Sequence, residues 1–140
     1  MSAPAPRVLV AVSQSGYAIA RKMLAGCDAD IVTSFEQGTQ ALARQAYGYV
    51  LVGVLFAESH MFEFVQEVKQ SQPGARVLGV RGLGTPLSEE IRSGLQAALQ
   101  TVGADGLIDL TRGQLSAWEQ AALLEMRRRC WPQCDASKIF

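Results

Sequence analysis

Tyr49-Val50-Leu51-Val52-Gly53-Val54-Leu55-Phe56 is the stretch whose reading decides the fold. It has eight residues and no charge, with three valines and an aromatic residue at each end. Polar and apolar positions do not alternate, so neither face is suited to water. That is the pattern of a parallel strand covered by helices on both sides. The short length, the β-branched content and the glycines at 48 and 53 read as strand rather than buried helix. As the central strand of an open α/β sheet, it places any ligand just beyond its carboxyl end. The residues from Gly53 onward are mostly apolar or small.

The chain to either side repeats the unit. Arg7-Val8-Leu9-Val10-Ala11-Val12 is a second strand of the same kind, followed by Ser13-Gln14-Ser15-Gly16 and a helix expected over Tyr17 to Leu24 with Gly26 as its C-cap. Asp30 to Thr33 is a short strand. Ser34 with Gln37 fits a capping box opening a helix to about Ala46. Beyond the central strand, a helix is expected over Met61 to Ser71 and a strand over Arg76 to Val80. Thr85 and Pro86 then read as the start of a helix carrying Leu87, Ile91, Leu95, Leu99 and Val102, ended by Gly103. Gly106 to Leu110 supplies a fifth strand, and a last helix is expected from Gln114 to Trp131. Five βα units in succession predict a five-stranded parallel sheet with helices on both faces, in the expected order 2-1-3-4-5, a flavodoxin-like three-layer sandwich.

Composition bounds the function. The chain has 140 residues, 49% of them hydrophobic, which suits one globular domain: a lead-in over 1–6, a body over 7–131, and a tail or linker over 132–140. Lys+Arg and Asp+Glu are 13 each, so no charge excess points to nucleic acid or to a membrane surface. No apolar run is long enough to span a bilayer, and Met1 to Pro6 lacks the regions of a signal peptide, so the cytoplasm is the expected location. Cys130 and Cys134 are spaced C-x3-C, but the lone His60 is far off in sequence. With Cys27 they are expected to be thiols rather than a metal site, and no metal and no cofactor is expected.

Residues 7 to about 131 resemble the receiver domain of bacterial response regulators. The words that carry the resemblance are Val8-Leu9-Val10-Ala11, Tyr49-Val50-Leu51-Val52, Val77-Leu78-Gly79-Val80 and Gly103-Ala104-Asp105-Gly106-Leu107-Ile108. The resemblance implies an aspartate ending strand three that accepts a phosphoryl group, an acidic pair ending strand one that holds Mg²⁺, a Ser/Thr after strand four and a Lys after strand five. Here those positions fall on Gly53, on Val12 and Ser13, on Arg81, and on Leu110 or its neighbour Thr111. Every expected group is absent. Without a carboxylate there is no acyl-phosphate, and without clustered acids a hard divalent ion has nothing to offset its dehydration. The expectation is therefore a degenerate, pseudo-receiver type of module, not an enzyme. Arg81 either stands in the vacated pocket as a fixed positive charge or is an exposed or loop-tethering side chain.

A second resemblance competes. Ser13-Gln14-Ser15-Gly16 is similar to the phosphate loop of flavodoxin-type FMN domains, with Gly53 and Gly82-Leu83-Gly84 in support and Phe56 and His60 as ring neighbours. It lacks that family's tryptophan after strand three and its stacking aromatic after strand four.

If the pocket is empty, function lies in contacts with a protein partner or an output domain. The last helix has more apolar residues than one buried stripe needs. Receivers commonly pair through the fourth helix, fifth strand and fifth helix, so the resemblance implies a homodimer there, with Trp118 and Leu123 as anchors. The alternative packs both residues into the domain's own core. Arg127-Arg128-Arg129 reads as a solvated helix end.

Overall fold

The computed structural model describes residues 6–24 and 27–132. They form β1 (Val8–Ala11), α1 (Gln14–Met23), β2 (Ala29–Val32), α2 (Phe35–Arg44), β3 (Tyr49–Gly53), α3 (Met61–Ser71), β4 (Arg76–Arg81), α4 (Glu89–Thr101), β5 (Gly106–Asp109) and α5 (Ala117–Cys130). The five strands are parallel in the order β2-β1-β3-β4-β5, as the alternation predicts.

Strand alternation divides the apolar residues between two layers. Leu9 and Ala11, Val50 and Val52, Val77 and Leu107 face α2, α3 and α4, where Phe64, Val65, Val68 and Leu99 pack on them. Val8 and Val10, Tyr49 and Leu51, Leu78 and Ile108 face α1 and α5, against Leu24, Leu123 and Met126. Central strands buried on both faces are why the opening stretch shows no alternation. On the first face α2 sits so close to α3 that a Cβ on Gly38 would lie 2.5 Å from Phe64 Cε1.

Element ends differ from the sequence expectation, each for a local reason. β3 stops at Gly53 rather than Phe56. The chain then turns through Ala57, Glu58 and Ser59, all with positive φ (50°, 58° and 73°). Phe56 is nonetheless fully buried, edge-on to Phe64 at 4.9 Å between centroids. Its apolar character serves a core plug, not a strand. α1 begins at Gln14, three residues before the expected Tyr17, because extended Ser13 is the N-cap and its Oγ accepts from the Gly16 N–H at 3.2 Å. Ser34 caps α2 as expected, but the Gln37 side chain accepts from the Thr33 N–H rather than completing a capping box. α2 ends at Arg44 because Gln72 claims its last turn, donating to the Leu42 and Gln45 carbonyls and accepting from the Tyr47 N–H.

α4 starts at Glu89 with Ser88 as N-cap, not at Thr85. Glu89 and Glu90 still fall in its first turn, but Ile91 of the expected stripe is exposed. β5 ends at Asp109 and passes into a 3₁₀ turn, Leu110–Arg112. α5 then opens on a complete capping box between Ser116 and Glu119. Cys27 is disulfide-bonded, which corrects the expectation of thiols at all three cysteines, while Cys130 is a buried free thiol whose pKa burial pushes up. Gly26, Cys134, most of the tail and residues 1–5 of the lead-in lie outside the described residues.

Candidate functional site

The site is built where the strands of a parallel sheet end. Ala11 pairs with Val52, Gly53 with Val80, and Arg81 with Asp109, so the residues leaving β1, β3, β4 and β5 come level at the carboxyl edge. Val12, Ser13, Gly53, Arg81 and Leu110 all line one cavity of about 360 Å³ there. These are the five positions singled out from the sequence. They are far apart in the chain, and the sheet brings them together.

The chemistry of the lining is apolar. Val10, Leu51 and Val80 form its floor, and Ala20 of α1 with Leu24 just after it form a wall. No acid lines it. Glu58 is exposed on the turn after β3. Asp109 is 1% exposed and lies in the strand on the same face as Leu107, and its carboxylate accepts from the Thr111 N–H at 3.0 Å. Among the described residues no three His, Cys, Asp or Glu side chains are grouped to hold a metal ion.

Ser13, Gln14, Ser15 and Gly16 form the N-cap and first turn of α1 rather than a separate loop. Ser13 Oγ lies 3.1 Å from Ser15 Oγ as well as capping Gly16, so its hydroxyl is already engaged by the helix it starts. Of the four, Ser13 and Gly16 reach the cavity. Phe56 is in the core on the α3 side and His60 is exposed beside Glu63, so neither lines it.

Arg81 resolves into a role that combines the two readings. It lines the cavity, yet its side chain is only 14% exposed and is tied down. Nη1 donates to Thr111 Oγ1 at 2.7 Å and stands 3.9 Å from Asp109 Oδ1. The exit loop curls over it: Gly84 has φ 103°, and a Cβ there would lie 2.9 Å from Arg81 Nη2. The guanidinium thus tethers the end of β4 to the turn after β5.

Sequence reading missed the residues that complete this tether. Glu119, 2% exposed at the start of α5, accepts from the Asp109 N–H at 2.6 Å and the Ser116 N–H at 2.8 Å, and pairs with Arg112. Burial pushes its carboxyl up, but the hydrogen bonds from Asp109 and Ser116 and the Arg112 charge outweigh that and hold it below the ordinary carboxylate value. The signal was present as Ser116-x-x-Glu119, a capping-box spacing.

The two expected interface anchors separate. Trp118 is 44% exposed and lies across Gly106, where a Cβ would come within 2.5 Å of its ring. Leu123 is 8% exposed and packs in the core with Met126, so it offers no surface. The large exposed apolar residues on these elements are Trp118 and Leu124 of α5 and Ile91 of α4.

No protein-family model and no curated protein matches the sequence. Solved structures do. A putative response regulator from Chloroflexus aurantiacus superposes with a TM-score of 0.63 at 14% identity, covering 91% of this chain and 98% of that one. The fold is that of a response-regulator receiver domain. An orphan response regulator of H. pylori gives a TM-score of 0.58 at 23% identity, covering 89% of this chain and 96% of that one. A response regulator from Burkholderia pseudomallei, solved with a phosphorylated aspartic acid and a calcium ion, gives 0.60 at 12% identity, covering 86% and 72%. The receiver-fold elements of this chain include, among the described residues, no helix long and apolar enough to cross a membrane.

Proposed function

We propose that this chain is a receiver-like regulatory module that does not take up a phosphoryl group and acts through contacts with a protein partner or an output domain. The observation that carries this reading is the glycine ending β3. Gly53 lines a cavity whose other emptied positions, Val12, Ser13, Arg81 and Leu110, bring no carboxylate and no lysine. The Burkholderia structure of the same fold holds a phosphorylated aspartic acid with a calcium ion. Here, among the described residues, nothing in the cavity lining offers a carboxylate nucleophile, and no anionic ligand lines it for a hard cation. The module therefore acts without enzymatic turnover, in the cytoplasm, and without binding nucleic acid through this domain. The partner face is α4, β5 and α5, where Trp118 and Ile91 stand exposed and a second copy of the chain is the proposed occupant.

The test of the first part is incubation with acetyl phosphate and Mg²⁺, followed by intact mass and thermal melting. Neither should change; a mass gain of one phosphoryl group refutes the reading. For the second part, light scattering should report a species larger than a monomer, which Trp118→Ala shifts toward monomer. A wild-type monomer at all concentrations removes the dimer and leaves the first part standing.

A further inference from the structure

We infer that the cavity at the emptied carboxyl edge is a binding site for a small, neutral, mostly hydrocarbon molecule. This goes beyond regulation by protein contact, since it gives the module a chemical input.

Size and shape come first. A cavity of about 360 Å³ falls in the range of small-molecule sites. It is more than twice the roughly 150 Å³ apolar cavity that takes up benzene. Its floor is sheet and one wall is helix, both rigid elements. Its lip is three apolar side chains from three different segments, Ile19, Leu55 and Leu83, each more than 40% exposed to solvent. Exposed aliphatic residues that converge on one concave, apolar opening are covered favourably by an apolar ligand, which removes their surface and the cavity floor from water together.

The room exists because of Gly53. A Cβ built on it meets nothing closer than the Ala11 carbonyl oxygen at 3.5 Å and Val12 Cα at 3.6 Å, and its φ is ordinary for an L-residue. A side chain would therefore be tolerated by the backbone and would extend into the space that the ligand needs. Gly82 on the opposite rim is equally open, with only Leu110 Cδ1 at 3.8 Å from a Cβ.

Charge decides the class. Among the described residues the one charged group lining the cavity is Arg81, and it already faces Asp109 at 3.9 Å. Around it, Arg92 pairs with Glu89 and Arg112 with Glu119, so three arginines face three acids. No surplus charge remains to repay the dehydration of an ionic ligand. Among the described residues Ser13 is the one neutral polar side chain of the lining, and its hydroxyl is held by the α1 cap. An uncharged molecule with at most a single hydroxyl or carbonyl group is the complement.

The experiment titrates the full chain with 1-octanol and, separately, with octanoate and FMN, reading the melting temperature and the methyl NMR signals of Val10, Leu51 and Val80. Octanol should give a saturable rise of several degrees, with shifts at those methyls. Octanoate should bind about tenfold more weakly, and FMN should not bind. Gly53→Leu should fold and lose the octanol response. Ile19→Glu, at a 45% exposed lip position, serves the same purpose if Gly53→Leu does not fold. No saturable response to octanol, retention of that response in either folded variant, or octanoate or FMN binding as tightly as octanol would each overturn the inference. None of these outcomes depends on the acetyl phosphate result, so the two readings fail separately.

Discussion

Around the ends of β1 and β3, the carboxyl edge presents Val12, Gly53, Val54 and Leu55 to an open apolar cavity. Around the ends of β4 and β5, a few ångströms on, it packs Arg81, Asp109, Thr111, Arg112 and Glu119 into a hydrogen-bonded cluster. Among the described residues, the first region brings no ionisable side chain to the cavity. The second has kept charges but spends them on one another. The difference teaches that one edge of a sheet can be apolar at some strand ends and densely paired at others. The side-chain hydrogen bonds and ion pairs gather on the β4–β5 side, whereas Val12, Gly53 and Val54 at the ends of β1 and β3 line the cavity.

Substitutions that break this contrast should rank accordingly. Glu119→Ala is the largest: it leaves the Arg112 guanidinium, the buried Asp109 N–H and the half-buried Ser116 N–H without their acceptor. Loss of one member of such a pair costs about 3 kcal/mol, seen as a fall in the urea midpoint at unchanged slope. A loss under about 1 kcal/mol would mean that the cluster is not what holds this end.

Glu119→Gln is the next, at about 1.5 kcal/mol, because the acceptor remains but its charge does not. It also tests the pH dependence. The folded carboxyl of Glu119 lies below its ordinary value of 4.5, so its contribution is present above that pH and is lost as pH falls through the depressed folded value. Stability curves of wild type and Glu119→Gln should therefore converge on acidification. Parallel curves would remove Glu119 from the acid transition.

A methyl probe sharpens the same comparison. On β4, a Cβ at Gly79 would lie 2.7 Å from Leu99 Cδ1, so Gly79→Ala should cost about 1 kcal/mol as Leu99 gives way. At the end of β3, Gly53→Ala meets only ordinary contacts and should change stability by no more than about 0.5 kcal/mol. Equal costs at the two glycines would erase the distinction between a packed and an empty side.

Much of this was legible in the chain, for particular reasons. β1, β3 and β4 are apolar on both faces, a pattern that burial by two helical layers requires, so their existence could be read directly, while their order was an expectation that the structure bears out. The starts of α4 and α5 could not. Thr85-Pro86 and Ser88-Glu89 are both acceptable helix openings, as are residues near Gln114 and the Ser116 box. Which one is used depends on how far the chain must travel first: to fold Gly84 over Arg81 in one case, and to bring Glu119 onto the end of β5 in the other. Leu123 and Trp118 show the same limit within one helix. Both are large and apolar, and only the packing of α5 on the sheet says that one is core and the other surface.

The amino-acid sequence by itself determined two things: five strand-forming segments joined by helical ones, and the absence of a carboxylate at Gly53, Val12 and Ser13. The second is a matter of covalent composition, which no folding can alter. Only the tertiary structure decided that those positions converge on one apolar cavity, that Asp109 is turned away from it into a cluster with Arg81 and Thr111, and that Glu119 seals that cluster. The physical reason is that side-chain direction and hydrogen-bond partnership are set by strand register and helix placement, which join residues a hundred positions apart.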